Sequence, residues 1–317
     1  MKIEFFLILL SLGLSAQVLN PFEIDFPKKK ELSYEDYEYL QMCLGQKNLE
    51  ELVDSICPSG FFYKKNDLLR RISSFTRQTM ICREKNLFPL KVHLEGDPRE
   101  ENCVVLGCSY DKSYPSLLRE LVGALREIGF KGGIYYRIGG YPNPTGEEVR
   151  FAAVPYAMKM FMIYEASLLG YKNVLWLDCS AWPLKPLDYC FDIIEKQGLI
   201  VESGRPNIQV LIPQTRAILE RKFGIDFSKA PHVAGWLIGF RMDAPFVKRI
   251  FLDYYEMVRQ GTPFISITPE ETVLTALFAK HAPSLLSHQN LMIAAKTQDA
   301  RLMEGRGKGV KFLIRSH

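Results

Sequence analysis

Asp178 is the residue whose place in the sequence most clearly suggests chemistry, because it follows a short and wholly apolar run. That run, residues 174–177, has the residue types of a strand buried on both faces, and a long helical pattern precedes it. Open α/β sheets bind ligands at the carboxyl ends of central strands, which is where this carboxylate is expected to lie. The alternative is an aspartate that only begins a turn, as is common after strands.

The chain before Asp178 alternates between strand and helix patterns. Apolar strand patterns at residues 103–108, 133–138 and 174–177 are separated by helical patterns at residues 116–129 and 147–169. This alternation predicts parallel strands that are joined by crossover helices.

The alternation continues after Asp178, although the pattern is looser. We expect helices at residues 186–197, 213–223, 245–260 and 269–281, strands at 199–201, 233–240 and 291–294, and a loose basic tail from residue 301. At the start of the 269–281 helix, Thr268 is expected to be the cap, with Glu271 reciprocating it.

The amino-terminal part of the chain divides into two segments. Residues 1–16 contain a lysine, an apolar run over 5–14 and small residues at the end, which is typical of a signal peptide cleaved after Ala16 or of a short anchor. The apolar run is roughly half the length that spans a bilayer, so cleavage is favoured over a stable anchor. The pattern of residues 17–98 predicts a helical extension. A polar, turn-rich junction at residues 96–101 marks its end, so we expect the main domain over residues 99–317.

Composition indicates a globular protein with a sizeable core, because 47% of the 317 residues are hydrophobic. The net charge is +4, and the sequence has neither a long block of lysine and arginine nor a nucleic-acid-binding motif. We therefore expect no nucleic-acid partner.

Several nucleotide and catalytic motifs are absent. Gly107 is followed by Cys-Ser-Tyr-Asp, so the G-x-G-x-x-G pattern of dinucleotide-binding folds is missing. The acidic residue that a methyltransferase fold needs after its second strand is replaced by the run Arg-Ile-Gly-Gly at residues 137–140. P-loop, zinc-protease and serine-nucleophile signatures are also absent.

Residues 103–240 resemble glycosyltransferases of the GT-A type. The closest likeness is in residues 154–198, where a lysine-bearing helix leads into Trp-Leu-Asp-x-Ser-x-Trp-Pro, as in a group of bacterial glycosyltransferase-like proteins. The resemblance implies an α/β fold with a mixed, mainly parallel sheet flanked by helices. It also implies transfer of a hexosyl or related sugar from a nucleotide-sugar donor to a glycan or glycoconjugate acceptor.

The resemblance also implies a site for a divalent cation, with one departure. GT-A enzymes place an Asp-x-Asp motif here, whose oxygen ligands suit Mg²⁺ or Mn²⁺. This chain has Asp178 as the metal candidate but Ser180 in place of the second aspartate. Either His281, His288 or another carboxylate completes the site, or basic side chains bind the phosphates instead, for which Arg150 and Lys159 are the candidates.

Other candidate residues each have a plainer alternative. By the resemblance, Ser109 and Asp111 receive the nucleobase and ribose, but they also suit an ordinary loop. Lys159 either binds phosphate or is a solvated helix residue. Trp182 either stacks on a sugar or fills the core.

The acceptor side has candidates of its own. Glu270 is the candidate catalytic base beside Asp178, since related folds have an acidic residue near this point. His232, Gly235 and Trp236 either line the acceptor cleft or belong to a strand that enters the core.

Two functions and several locations stay open at this stage. The alternative to a transferase is a catalytically inactive GT-A-like domain that binds a glycan or a protein, which the missing second aspartate favours. Residues 1–16 predict a secreted, periplasmic or lumenal protein, with membrane association through residues 5–14 as the alternative.

Overall fold

A computed structural model describes the parts of the chain that form the sheet and its helices. The described residues are 22–25, 91–96, 100–108, 114–139, 156–208, 211, 213–264, 266, 268–286, 292–295 and 312–315. The predicted signal peptide and most of the predicted helical extension lie outside these residues.

The described strands form two sheets. Their bounds are β1 (Lys91–Glu95), β2 (Asn102–Cys108), β3 (Gly133–Ile138), β4 (Asn173–Leu177), β5 (Ala181–Pro183), β6 (Leu199–Gly204), β7 (His232–Arg241), β8 (Met292–Ala295) and β9 (Phe312–Arg315). The larger sheet has the order β1-β3-β2-β4-β7-β6, and the smaller sheet has the order β5-β9-β8.

Four strands of the larger sheet run in the same direction. β2 is parallel to β3 and to β4, whereas β7 is antiparallel to β4 and to β6. β1 is an antiparallel edge strand on β3. The predicted mixed, mainly parallel sheet is therefore confirmed, with β4 in its interior.

Helices cover both faces of this sheet. They are α1 (Tyr114–Glu127), α2 (Met158–Leu168), α3 (Asp188–Gln197), α4 (Pro213–Phe223), α5 (Val247–Gln260) and α6 (Pro269–His281), with short 3₁₀ turns at Thr262–Phe264 and Pro283–Leu285. No helix within the described residues is both long enough and apolar enough to cross a membrane.

β4 is buried on both faces, as its apolar sequence predicts. Val174 and Trp176 belong to the hydrophobic core that contains α2, α5 and α6, and Leu175 and Leu177 belong to the core that contains α1 and α3. Successive side chains of a strand point to opposite faces, so one apolar run joins both cores. This burial fixes the position of Asp178 directly after the strand.

Two predictions about the ends of the domain are wrong. The tail is not loose throughout, because β9 pairs with β5 and with β8. β1 lies within the predicted helical extension, yet it pairs with β3, so the sheet begins before residue 99. Ile24 is also buried in the core, where its N–H donates to the Tyr164 hydroxyl at 2.8 Å. Neither strand was visible in the sequence, because pairing with distant strands supplies the order that short segments lack.

Candidate functional site

Asp178 lies at the carboxyl end of β4, at the edge of the larger sheet where β7 begins. Leu177 pairs with Leu237, and the Asp178 N–H donates to the Trp236 carbonyl at 2.9 Å. Residues 232–236 of β7 therefore extend beyond the end of β4. The first turns of α2 and α6 reach the same edge, since Lys159 and Glu270 both contact β7 residue Gly235.

The charged residues at this edge form a cluster, which we call the Lys159 cluster and define as Lys159, Asp178 and Glu270. The Lys159 ammonium lies 2.9 Å from Asp178 Oδ1 and 2.8 Å from Glu270 Oε1. It also donates to the Gly235 carbonyl at 3.0 Å. An ammonium has three N–H donors, and these three acceptors use all of them.

Burial makes the electrostatics of this cluster strong. Lys159 is 3% exposed, and Glu270 is 5% exposed. Burial alone would lower the pKa of Lys159, but the carboxylates of Asp178 and Glu270 raise it above its ordinary value. Burial raises the pKa of Glu270 to about 7, although the ammonium acts in the opposite direction. Lys159 is therefore an internal counter-ion, not a solvated helix residue.

Aromatic rings enclose the cluster on its remaining sides. The Trp176 indole N–H donates to Asp178 Oδ1 at 2.7 Å. The ammonium lies 5.2 Å from the ring centroid of Tyr156 and 5.8 Å from that of Trp176, distances at which a cation is attracted to a ring. Asp178 is the open member, because 32% of its side chain is exposed.

Gly235 is held on both sides of its backbone. Its N–H donates to Glu271 Oε1 at 2.9 Å, and its carbonyl accepts from Lys159. A Cβ at this position would lie 2.8 Å from Glu270 Oε1 and 3.2 Å from Glu271 Cγ. Only a glycine lets the strand approach the two glutamates this closely.

His232 and Glu271 form a second pair at the same edge, which we call the His232 pair. His232 Nε2 lies 3.3 Å from Glu271 Oε2. Burial opposes ionisation of Glu271, but the hydrogen bonds from His232 and from the Gly235 amide lower its pKa. The expected capping role of Glu271 is wrong: Thr268 makes no side-chain capping bond, and both Glu271 oxygens contact β7.

The other predicted site residues fall in several places. Ser180 is half-buried in the turn after Asp178, and Trp182 is half-buried in β5. Trp236 is buried, and its ring meets Phe312 edge-on at 5.1 Å between centroids. Ser109, Asp111, Arg150 and His288 lie outside the described residues.

The described residues do not fit a divalent cation. Asp178 is the open carboxylate, and its nearest charged neighbour is an ammonium 2.9 Å away, which repels a cation. His281 does not complete the site, because its Nε2 contacts Asp253 Oδ2 at 2.7 Å at the opposite end of α6. Within the described parts of the chain, no three acidic, histidine or cysteine residues are grouped as metal ligands.

Sequence reasoning missed the partners that hold Asp178 and His232. Trp176 was assigned only to the buried strand, and Tyr156 and Glu271 were given no place in the site. The available signal was weak: a tryptophan two residues before the aspartate lies on the same face of a strand and can reach it. Nothing in the sequence indicated that α6 would lie against β7.

The chain is similar in structure to several solved glycosyltransferases. The galactosyltransferase LgtC, in complex with donor and acceptor sugar analogues, has a TM-score of 0.38 at 11% identity, covering 68% of this chain and 87% of that chain. A glycosyltransferase involved in glycosylation of the major capsid of PBCV-1 has a TM-score of 0.40 at 14% identity, with coverages of 67% and 92%. Mouse xyloside xylosyltransferase 1 in its apo form has a TM-score of 0.38 at 9% identity, with coverages of 67% and 97%.

No protein-family model and no curated protein sequence matches the chain. The structural similarities give neither a donor nor an activity, which have to follow from the chemistry of the site.

Proposed function

We propose that this protein transfers a sugar from a nucleotide-sugar donor to a hydroxyl group of a glycan or glycoconjugate, with Asp178 in the donor site. One observation carries the proposal: Asp178 is fixed from one side and open on the other. Trp176 holds Oδ1 and the Lys159 ammonium contacts both carboxylate oxygens, while 32% of the side chain faces solvent at the ligand edge of the sheet.

A carboxylate in this setting suits recognition of sugar hydroxyls. An ionised carboxylate accepts up to about four hydrogen bonds, and the internal partners of Asp178 leave part of that capacity unused. Sugar hydroxyls are donors that can supply the missing bonds. Because two partners already fix the side chain, little conformational entropy is lost when a donor binds.

The geometry supports a positioning role for Lys159 in place of the phosphate contact that the sequence suggested. Its three donors are used within the protein, so a diphosphate would have to displace one of them. Contacts of Ser109 and Asp111 with the nucleoside, and of Arg150 with the phosphates, stay predictions. No step of the proposed transfer passes through a metal ion.

A second candidate function is binding of a glycan or a protein without catalysis. Ser180 in place of a second carboxylate favours it, since the chain lacks a motif that catalytic relatives of the predicted class use. The two functions differ in turnover: a binding module would bind a glycan but would not split a nucleotide sugar.

Thermal unfolding with a panel of UDP-, GDP- and CMP-activated sugars tests the proposal. A donor at about 100 times its Kd stabilises a protein by roughly 2.7 kcal/mol, which is a measurable shift. We expect at least one donor to stabilise the wild type and Asp178→Asn to lose that shift. The matched control is Asp192→Asn, which removes an exposed carboxylate from α3 and should keep it. If no sugar nucleotide stabilises the wild type and none is hydrolysed, the proposal is wrong.

Location is a separate proposal. We propose that residues 1–16 direct export and are removed, so that the mature chain begins at Gln17 in a lumenal, periplasmic or secreted form. Mass spectrometry of the mature amino terminus tests this, and a soluble cytosolic chain that retains Met1 would contradict it. Membrane association through residues 5–14 is the alternative that an uncleaved, membrane-bound chain would support.

A further inference from the structure

We infer that His232 is the general base that takes the proton from the acceptor hydroxyl, and that Glu271 positions it. The inference rests on the proposed transferase function and assigns its acceptor side. It moves the catalytic base from Glu270, the sequence candidate, to a different side chain.

Glu270 cannot take this role in the observed arrangement. Its side chain is 7% exposed, and Oε1 accepts from the Lys159 ammonium at 2.8 Å. A base must come within hydrogen-bond reach of the proton it removes, directly or through one water. Glu270 is enclosed by its partners, so an acceptor hydroxyl cannot approach it.

His232 lies at the same edge but further out. It is the first residue of β7, in the part of the strand that extends beyond Asp178. Glu271 links the imidazole to Gly235, because its Oε2 faces His232 Nε2 and its Oε1 accepts from the Gly235 N–H. Gly235 is also the residue that shares Lys159 with Asp178, so the imidazole and the donor-site carboxylate lie on the same short stretch of β7.

Glu271 holds the imidazole in one orientation. Its Oε1 is fixed by the Gly235 N–H at 2.9 Å, and its Oε2 faces His232 Nε2 at 3.3 Å. A carboxylate beside Nε2 favours the tautomer with the proton on that nitrogen, which leaves the lone pair on Nδ1. Among the described residues, Glu271 is the partner of this imidazole, and 19% of the His232 side chain is exposed.

In the described part of the chain, the charged groups nearest the imidazole are acidic or already paired. Glu271 faces it from α6, and Glu202 lies on the neighbouring strand β6, two residues before Gly204, the pairing partner of His232. Lys159 is separated from it by Gly235 and is held by two carboxylates. Within the described residues, the group that faces the imidazole is therefore a carboxylate.

In the proposed step, the acceptor hydroxyl attacks the donor sugar. The acceptor oxygen forms a bond to the anomeric carbon of the donor sugar as its proton moves to Nδ1 of His232. The bond between the anomeric carbon and the phosphate oxygen breaks, and its electron pair stays on the departing nucleoside diphosphate. The imidazolium then releases its proton to solvent. With water as the acceptor, the products are the free sugar and the nucleoside diphosphate.

Hydrolysis of the donor found in the sugar-nucleotide panel tests this inference without an identified acceptor. We expect His232→Gln to lower kcat about 100-fold or more, which is the usual contribution of a general base, with KM and the donor-induced thermal shift unchanged. We expect Glu271→Gln to lower kcat less, by roughly 10-fold, because it removes positioning and not the base. The acidic limb of the pH–rate profile should be absent in His232→Gln, and imidazole should restore part of the rate in His232→Ala.

The matched control is His281→Gln. His281 also faces a carboxylate, Asp253, but at the far end of α6, so its replacement should leave donor hydrolysis unchanged. If His232→Gln keeps the wild-type rate while Asp178→Asn loses it, the inference is wrong and the proposed function stands. If no sugar nucleotide stabilises the wild type and none is hydrolysed, both are wrong; if one stabilises it without being hydrolysed, the inference is wrong. Should Glu271→Gln fail to fold, His232→Gln still decides the outcome, because it leaves the Gly235 bond intact.

Discussion

The Lys159 cluster and the His232 pair use neighbouring glutamates of the same helix turn for opposite purposes. Glu270 is buried against an ammonium, and burial raises its pKa to about 7. Glu271 lies next to it in sequence, but hydrogen bonds from His232 and the Gly235 amide lower its pKa. One carboxylate is enclosed within the protein, and the other contacts a partly buried imidazole.

The difference shows that hydrogen-bond partners, and not burial alone, decide whether the pKa of a carboxyl group is raised or lowered. Burial opposes ionisation of both glutamates, yet of the two Glu271 is the one with two N–H groups from β7 as partners. The enclosed glutamate is suited to hold Lys159 and thereby Asp178. The other is suited to orient a residue that exchanges protons with a ligand.

The largest expected effect comes from removing the counter-ion of the Lys159 cluster. Lys159→Met leaves Glu270 buried without its cation, and breaking a buried ion pair in this way typically costs about 3–5 kcal/mol. Urea unfolding at pH 7.5 measures the loss, because this pH lies above the pKa of Glu270 in the wild type. The double variant Lys159→Met/Glu270→Leu should regain much of it, because apolar residues often replace a buried pair at little cost. A single variant as stable as the wild type would show that the cluster contributes nothing to folding.

The next effect is on pH dependence. The pKa of Glu270 is about 7 in the folded protein and 4.5 as its ordinary value, so between these values the folded state binds more protons than the unfolded state. Its contribution to the free energy of unfolding is therefore present at low pH and is lost as pH rises, by about 2 kcal/mol from pH 5 to pH 7.

Urea unfolding over this pH range measures the fall, and Glu270→Gln should remove the part that Glu270 contributes. Burial also raises the pKa of Glu202 to about 7, so this residue adds a fall of the same sign. Glu202→Gln is the companion variant that separates the two contributions. A fall in Glu270→Gln as large as that of the wild type would contradict the assignment.

A smaller effect is expected at Gly235, whose backbone bonds to Lys159 of the Lys159 cluster and to Glu271 of the His232 pair. In Gly235→Ala, the added Cβ would meet Glu270 Oε1, which Lys159 holds in place, so we expect a loss of roughly 1–2 kcal/mol. Donor binding should weaken as well, since Lys159 also holds Asp178. Gly204→Ala is the matched control, because a Cβ there has no atom within 4 Å. Equal effects of the two substitutions on thermal unfolding would count against the close approach at Gly235.

The smallest effect concerns metal. We expect Mn²⁺ to leave the melting temperature of the wild type unchanged, because the Lys159 ammonium repels a cation from Asp178. Ser180→Asp adds the second carboxylate and should gain a small stabilisation by Mn²⁺. A Mn²⁺ shift in the wild type that Asp178→Asn abolishes would show that residues outside the described ranges complete a metal site.

Local pattern determined most of the elements and the principal site residue. The helices at 213–223 and 269–281 have the predicted bounds, and β4 is the buried strand that its apolar sequence indicates. Asp178 follows from this pattern alone, because a buried strand that ends in a polar turn fixes where the next side chain lies. Helical periodicity and strand alternation are local properties, so one sequence is enough to reveal them.

Tertiary structure decided which residues surround Asp178 and which side chains of the site are exposed. Lys159, Asp178 and Glu270 are far apart in the chain, and their contact depends on α2 and α6 both reaching the end of β4. The sequence places Glu270 and Glu271 side by side but does not show which of them is enclosed, since that difference comes from β7, which lies against α6. The pairing of β1 and β9 was hidden for the same reason: long-range contacts carry no local signal, yet they set burial, and burial together with partners sets the charge state of each group.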